Sequence, residues 1–533
     1  MADFLSLPRQ HNSTDFEWRA IDCMTSAVLP GMRVSRGFHA GIKHRSTLFR
    51  YRRSVDQGKT WRRQDHAGAI VLLALATVAA LTIGWTGFIA SDDSLYFVGA
   101  EQWLTDPPFA GDNHWATRFP LLWSFAGMLM LFGRNFTAFA ATALLWYAAL
   151  IAVVGLFAAR IGGARTGWIA ALLAATLPVV VSNATTVGVD LLETMLLLGG
   201  AWLLGEGGVG RAAMLRGLAA GVLFGTAILC RETSLLSLVA MGPLFLIGRP
   251  VSRGSLIAAG LGLALILGGE ALFQWLLTGD PLRRYDIAFH HDSHIDRAAN
   301  HEGNFLLHPA IDPLLVLFIN DDFGLLFWVA SLALMINRQN LLPAGRAGPM
   351  IVLGAMAAAD FLLVAVLTEK LVLNPRYFML PAILAIILTA LWMGRSGGWW
   401  RWPVLGGMIV VNLLMLSVGN AHPRWEMESL LAASKAHPAE MVSGDPVMVR
   451  RASLPMRFAG RANLRPVPTL VGGLVLAPQS IAPAGAVLAR YPSPPTPLGR
   501  LIDSVGGRAF VPAPLQRRMF APNQTMLLVR TPR

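Results

Sequence analysis

Two adjacent carboxylates follow a long apolar run in Ser91-Asp92-Asp93-Ser94-Leu95-Tyr96-Phe97. At a membrane surface, low dielectric and a like-charged neighbour both oppose ionisation, so Asp92 and Asp93 can supply a general base. The same residues also suit a helix start, as a cap and as acids at the positive end of its dipole. Arg118, Arg283, Arg284 and Arg376 offer forked donors that match phosphate oxygens, while arginines at a membrane edge also snorkel to lipid headgroups. Asp190 and Glu193, three apart, share one helix face. Arg231-Glu232 reads as an ion pair at a short turn. His290, His291 and His294 include an i, i+4 pair that could face zinc, but no fourth ligand accompanies them. A solvated polar helix accounts for them, and no metal is assigned. Glu270 and Asp360 lie within apolar runs, where a carboxylate either serves function or bonds a neighbouring helix.

The chain that must position these groups is 533 residues long, 54% hydrophobic and only 14% charged, too apolar for a water-soluble protein of that size. Its apolar blocks are long enough to cross about 30 Å of hydrocarbon as helices. They run roughly 67–90, 137–160, 164–184, 187–205, 213–230, 233–248, 254–278, 323–337, 348–368, 377–394 and 402–420, about eleven spans. Arginine pairs fall between alternate blocks: Arg160 with Arg165, Arg211 with Arg216, Arg249 with Arg253, Arg338 with Arg346, and Arg395 with Arg401. Positive residues mark cytoplasmic loops, so the polar, basic tail 1–66 is expected inside and the C-terminus outside. Phe119 to Gly133, about 22 Å as a helix, would invert every arginine pair if it crossed, so it is expected as a juxtamembrane or re-entrant helix.

Three domains follow: a cytoplasmic tail (1–66), a membrane domain (67–420) with external loops 91–118 and 279–322, and an external domain (421–533). The second loop is expected to hold a lipid-surface helix at Pro313 to Ile319. Strand-like runs at Val447 to Arg450, Ala486 to Arg490 and Met526 to Arg530 predict a small α/β fold in the last domain. The tail has no apolar core near Met1, so it does not read as a cleavable signal. The net charge of +13 is topological, with no domain-scale basic surface for nucleic acid. Cys23 and Cys230 fall on opposite sides of the membrane, which implies no disulfide.

Asp92-Asp93-Ser94-Leu95-Tyr96 resembles the acidic motif in the first external loop of GT-C glycosyltransferases, the superfamily of protein O-mannosyltransferases and of transferases that add aminoarabinose to lipid A. The family often has Asp-Glu-x-x-Tyr there, and this chain has Asp at the second position. Its His-Pro-Pro-Leu run is similar to Arg118-Phe119-Pro120-Leu121-Leu122, with Arg in place of His and His114 close by. Leu177-Pro178 with Asp190, Gly221 to Gly225 with Arg231, Gly279-Asp280-Pro281 with Arg283 and Arg284, and Asn374-Pro375-Arg376-Tyr377 resemble later family elements in the same order. The likeness covers residues 67 to 394.

The resemblance implies an all-α polytopic membrane fold. It further implies an inverting transferase of the bacterial plasma (inner) membrane, acting at the outer face. The donor would be a polyprenyl-phosphate-linked sugar, the acceptor a hydroxyl on a glycan, lipid or protein, and no cofactor would be required. Asp92 and Asp93 would be catalytic; His114, Arg118, Asp190, Arg283, Arg284, His290, Arg376 and Tyr377 would bind substrate and its phosphate. A transporter or lipid flippase, or a non-catalytic relative, fits the span count equally well, but a transporter should gather its ionisable groups at the bilayer midplane.

Overall fold

A computed structural model describes residues 63–290, 311–337, 346–367, 373–395, 398–419, 424–467 and 471–532. The tail before residue 63, His291, His294 and Arg338 lie outside the described residues. The membrane domain begins with α1 (Arg63–Gly84), α2 (Asp92–Thr105), α3 (Phe119–Phe132), α4 (Phe136–Gly162), α5 (Ala164–Thr176), α6 (Pro178–Ala184), α7 (Asp190–Gly205), α8 (Arg211–Cys230), α9 (Ser234–Leu238), α10 (Met241–Ile247) and α11 (Arg253–Thr278). It continues through α12 (Arg283–His290), α13 (Asp312–Ile319), α14 (Leu326–Asn337), α15 (Gly348–Val366), a 3-10 turn at Pro375–Phe378, α16 (Met379–Arg395) and α17 (Arg401–Gly419).

Seven helices among the described residues are long and apolar enough to cross a bilayer, eight if α5 and α6 form one span bent by 64°. The bend falls where Pro178 removes a backbone donor, and Leu177 adopts extended geometry ahead of it. The remaining expected spans fall on shorter helices, α7, α9 with α10, and α14. Helix α3, 14 residues long, buries Phe119, Leu121, Leu122 and Phe125 against its neighbours. Helix α13 covers the segment expected to be helical in the second outer loop.

One boundary differs from the sequence expectation. The first span ends at Gly84 rather than continuing to Ala90. Gly87 at φ +69 and Ala90 at φ +56 turn the chain out of helical geometry before α2 begins.

Helices α8 and α11 pack backbone against backbone. A methyl on Gly217 would overlap the Ser255 carbonyl, one on Gly221 that of Ala259, and one on Gly262 that of Leu218. Small residues four apart let apolar helices approach this closely in lipid. The contact fixes the ends of α8 and α11, and so the entry points of Arg231 and of the Arg283–Arg284 loop.

The C-terminal domain comprises α18 (Trp425–Ala436), β1 (Val442–Ser443), α19 (Pro446–Phe458), β2 (Leu464–Arg465), β3 (Leu474–Pro478), β4 (Ala486–Tyr491), α20 (Pro497–Ser504), α21 (Ala513–Phe520) and β5 (Met526–Arg530). The sheet order is β2-β1-β3-β5-β4, with β1 parallel to β2 and β3 and β5 antiparallel to β3 and β4. Two of the three predicted strands are present. The third, Val447 to Arg450, is helical instead, because the Asp445 side chain accepts the Val447 and Met448 N–H groups and Pro446 starts the first turn.

Candidate active site

Geometry divides the two adjacent carboxylates. Asp93 is buried, its Oδ2 accepting the Ile89 N–H (2.8 Å) and its Oδ1 the N–H groups of Ser91 (2.8 Å) and Ser94 (2.9 Å). These bonds hold the turn containing left-handed Ala90, a backbone state costing about 1–2 kcal/mol for a residue with a Cβ. Burial pushes the Asp93 carboxyl up to about 6, against the pull of its three backbone donors and with a smaller upward push from Asp92. Asp92 is partly exposed and faces Arg376, whose Nη1 lies 3.6 Å from its Oδ2.

Arg376 is set by its turn: the Asn374 side chain accepts its backbone N–H (3.1 Å), and Pro375 opens the 3-10 turn that leads into α16. Its guanidinium carbon lies 5.8 Å from the Tyr377 ring, and that of Arg231 lies 5.1 Å from the same ring. An aromatic face between two guanidiniums stabilises both cations.

Arg231 is buried and donates to Asp190 (2.6 Å) and Glu193 (3.4 Å), the i, i+3 pair opening α7. Ser234 donates to the other Glu193 oxygen (2.6 Å), and Ser237 to Asp360 (3.3 Å). Glu193, Arg231, Ser237, Asp360, Arg376 and Tyr377 line a crevice with about 20 Å³ of room, enough for one water.

Arg118 is buried beside this cluster. It donates to the Tyr96 hydroxyl and meets His114 Nε2, and its charge reaches Asp92 and Asp190. Burial pushes the Tyr96 phenol up to about 12, against the pull of Arg118, so it stays protonated. The structure therefore gathers Asp92, Arg118, His114, Asp190, Arg376 and Tyr377.

The basic residues that follow α11 sit differently. Arg284 is fully buried and donates to the carbonyls of Thr117, Ile228 (3.2 Å) and Leu229 (3.0 Å) and to Glu232 (2.6 Å). It ties the loop between α2 and α3 to the end of α8. Arg283 donates to the Gly111 carbonyl (3.2 Å). His290 is exposed and its Nδ1 meets Asp286 of its own helix (3.2 Å). Among the described residues no three His, Cys, Asp or Glu side chains come together to hold a metal.

The adjacent pair Arg231-Glu232 is split as well, Arg231 turning to α7 and Glu232 to Arg284. Sequence reasoning missed the placement of Arg231 between Asp190, Glu193 and the Tyr377 ring. The available signal was the acidic face of Asp190 and Glu193, which once buried demands a cation.

The acidic helix is also held from the far end of the chain. Glu101 on α2 pairs with Arg134 (3.0 Å) and accepts two bonds from Arg457 of α19 (2.7 and 2.9 Å). Phe458 packs edge-on to Phe97 of α2 (centroids 5.4 Å apart) and against Phe136 (5.0 Å).

Residues 119–272 match the family model for dolichyl-phosphate-mannose-protein mannosyltransferases. The chain is similar in structure to ArnT from Cupriavidus metallidurans bound to undecaprenyl phosphate, with 16% identity, a TM-score of 0.51, and coverage of 73% of this chain and 75% of that one. The oligosaccharyltransferase of Archaeoglobus fulgidus in complex with zinc and sulfate also matches, at 14% identity and TM-score 0.47 over 72% of this chain and 61% of that one. No curated protein sequence matches. The chain thus shares the fold of that ArnT over 73% of its length, and its residues 119–272 carry the match to the mannosyltransferase family model.

Proposed function

We propose that the protein transfers a sugar from a polyprenyl-phosphate donor to an acceptor hydroxyl at the outer face of the membrane. The observation that carries this is the partly exposed Asp92–Arg376 pair, backed by the buried Arg118 and Arg231. An accessible carboxylate beside a cluster of cations suits a reaction that removes a proton from one oxygen while negative charge develops on another. ArnT, which shares the fold, was solved bound to undecaprenyl phosphate.

Asp92 takes the proton of the acceptor hydroxyl as its oxygen attacks the anomeric carbon. The carbon–phosphate oxygen bond breaks on the opposite face, and the configuration inverts. Arg376 receives the charge that develops on the departing lipid phosphate, and Arg118 adds to the positive field. Asp93 holds the turn that aims Asp92, and Asp190 with Glu193 holds Arg231 against Tyr377. Arg283, Arg284 and His290 shape the second outer loop around this centre. The chemistry requires no cofactor, and the reaction is expected to continue in EDTA.

On this reading the N-terminus lies in the cytoplasm and the C-terminal domain outside a bacterial plasma membrane, and the arginine pairs between alternate spans support that orientation. Purified protein in vesicles with an undecaprenyl-phosphate-linked pentose or hexose tests the reading. Release of undecaprenyl phosphate should depend on Asp92, and Asp92→Asn should lower it by about 10²-fold or more. Full activity in a correctly inserted Asp92→Asn protein would refute the base assignment.

A further inference from the structure

The segment between β4 and β5 turns large apolar side chains outward: Leu501 is 60% exposed, Val505 74% and Phe510 90%. Its inner face, through Leu498, Ile502, Val511 and Leu515, packs with Met519 and Phe520 against Leu414, Met415 and Val418 near the end of α17. The buried hydroxyls of Ser417 and Thr496 bond at 2.8 Å beside this contact.

The depth of this contact follows from α1. Leu416, on the same turns of α17, packs with Ala80 and Val181, and its side chain lies against Gly84, the last residue of α1. Helix α20 itself packs on α1. Residues 497–520 are thus level with the final turns of two membrane-spanning helices, where hydrocarbon gives way to headgroups. Apolar side chains turned away from the protein at that level face lipid. The segment also carries exposed Arg500, Arg508 and Arg517, and the Arg508 guanidinium carbon lies 4.8 Å from the Phe520 ring.

We infer that residues 497–520 are an interfacial anchor whose partner is the phospholipid surface of the protein's own membrane. Leu501, Val505 and Phe510 enter the boundary of the acyl chains, and Arg500, Arg508 and Arg517 lie at the level of the lipid phosphates. Amphipathic segments bind membranes by this combination of buried apolar area and basic charge. The sheet is thereby held close to its leaflet, with α19 reaching back to α2. The inference is independent of the transfer reaction.

The test places an environment-sensitive dye on a cysteine at Phe510→Cys in full-length protein carrying Cys23→Ser, reconstituted in phosphatidylcholine–phosphatidylglycerol nanodiscs. Buried Cys230 stays in place, and the parent without the new cysteine controls for labelling there. The comparison site is Val471→Cys, 82% exposed, next to Gly472, which bonds to Pro532 beyond the end of β5 remote from α21. Dye at 510 should be quenched by lipids with a nitroxide near the headgroup and should resist aqueous iodide at least fivefold better than dye at 471. Equal iodide quenching at the two positions, with no quenching by nitroxide lipid at 510, would overturn the anchor. Both substitutions are at exposed positions, so misfolding does not mask either result.

Discussion

At the scale of single residues, two neighbouring aspartates have different surroundings, Asp93 buried on three N–H groups and Asp92 partly exposed beside Arg376. The Asp93 carboxyl is raised from 3.8 to about 6 in the folded protein. Stability gained from its protonated form is fully present below pH 3.8 and is lost as pH rises through 6. A rise from 3.8 to about 6 corresponds to about 3 kcal/mol. The melting temperature should therefore fall between pH 4 and 6.5, and Asp93→Asn, which does not titrate, should lack that step. Asparagine has one accepting oxygen for three N–H groups, so the variant should also melt lower than wild type at pH 4. A wild-type melting curve unchanged over this range would show that Asp93 is not protonated within it. The adjacency of the aspartates was legible in the sequence, but the burial of one and the exposure of the other were not. This difference depends on the left-handed Ala90, which brings the Ile89 and Ser91 donors onto one carboxylate, and alanine gives no sign of that conformation.

At the scale of elements, helix contacts set where the charges meet. Gly221→Leu would drive a side chain into the Ala259 carbonyl and separate α8 from α11. Overpacking of this kind typically costs about 1–3 kcal/mol, and here the obstacle is backbone that does not yield like a side chain. Thermal unfolding in detergent should show a clear loss of stability, whereas Gly260→Leu, with open space around its Cβ position, should be nearly neutral. The Glu101–Arg457 contact makes a separate prediction. Glu101→Arg and Arg457→Glu should each reduce turnover by loosening α2, and the double exchange should recover part of it. No recovery would mean that this pair does not position the helix. The helices themselves were legible because apolar runs of membrane length have few alternatives. The sequence could not place the ion pairs, since Arg231 and Glu232 are neighbours in the chain but partner different helices.

At the scale of the whole molecule, the start of α2, the start of α7, the end of α8 and the turn into α16 bring one charged centre together. Six of the ten proposed site residues converge there: Asp92, His114, Arg118, Asp190, Arg376 and Tyr377. The order of motifs made this convergence legible, because segments that leave the membrane on one side are confined to one surface. The structural use of Arg284 was not legible, since buried and phosphate-binding arginines have the same sequence appearance. The central claim is that Asp92 and Arg376 serve different steps at one site, and binding of undecaprenyl phosphate measured alongside turnover tests it directly. Asp92→Asn should bind undecaprenyl phosphate at least as tightly as wild type while turnover falls about 10²-fold or more, and Arg376→Ala should lose about tenfold or more in affinity. Wild-type turnover in Asp92→Asn, or wild-type affinity in Arg376→Ala, would contradict the account.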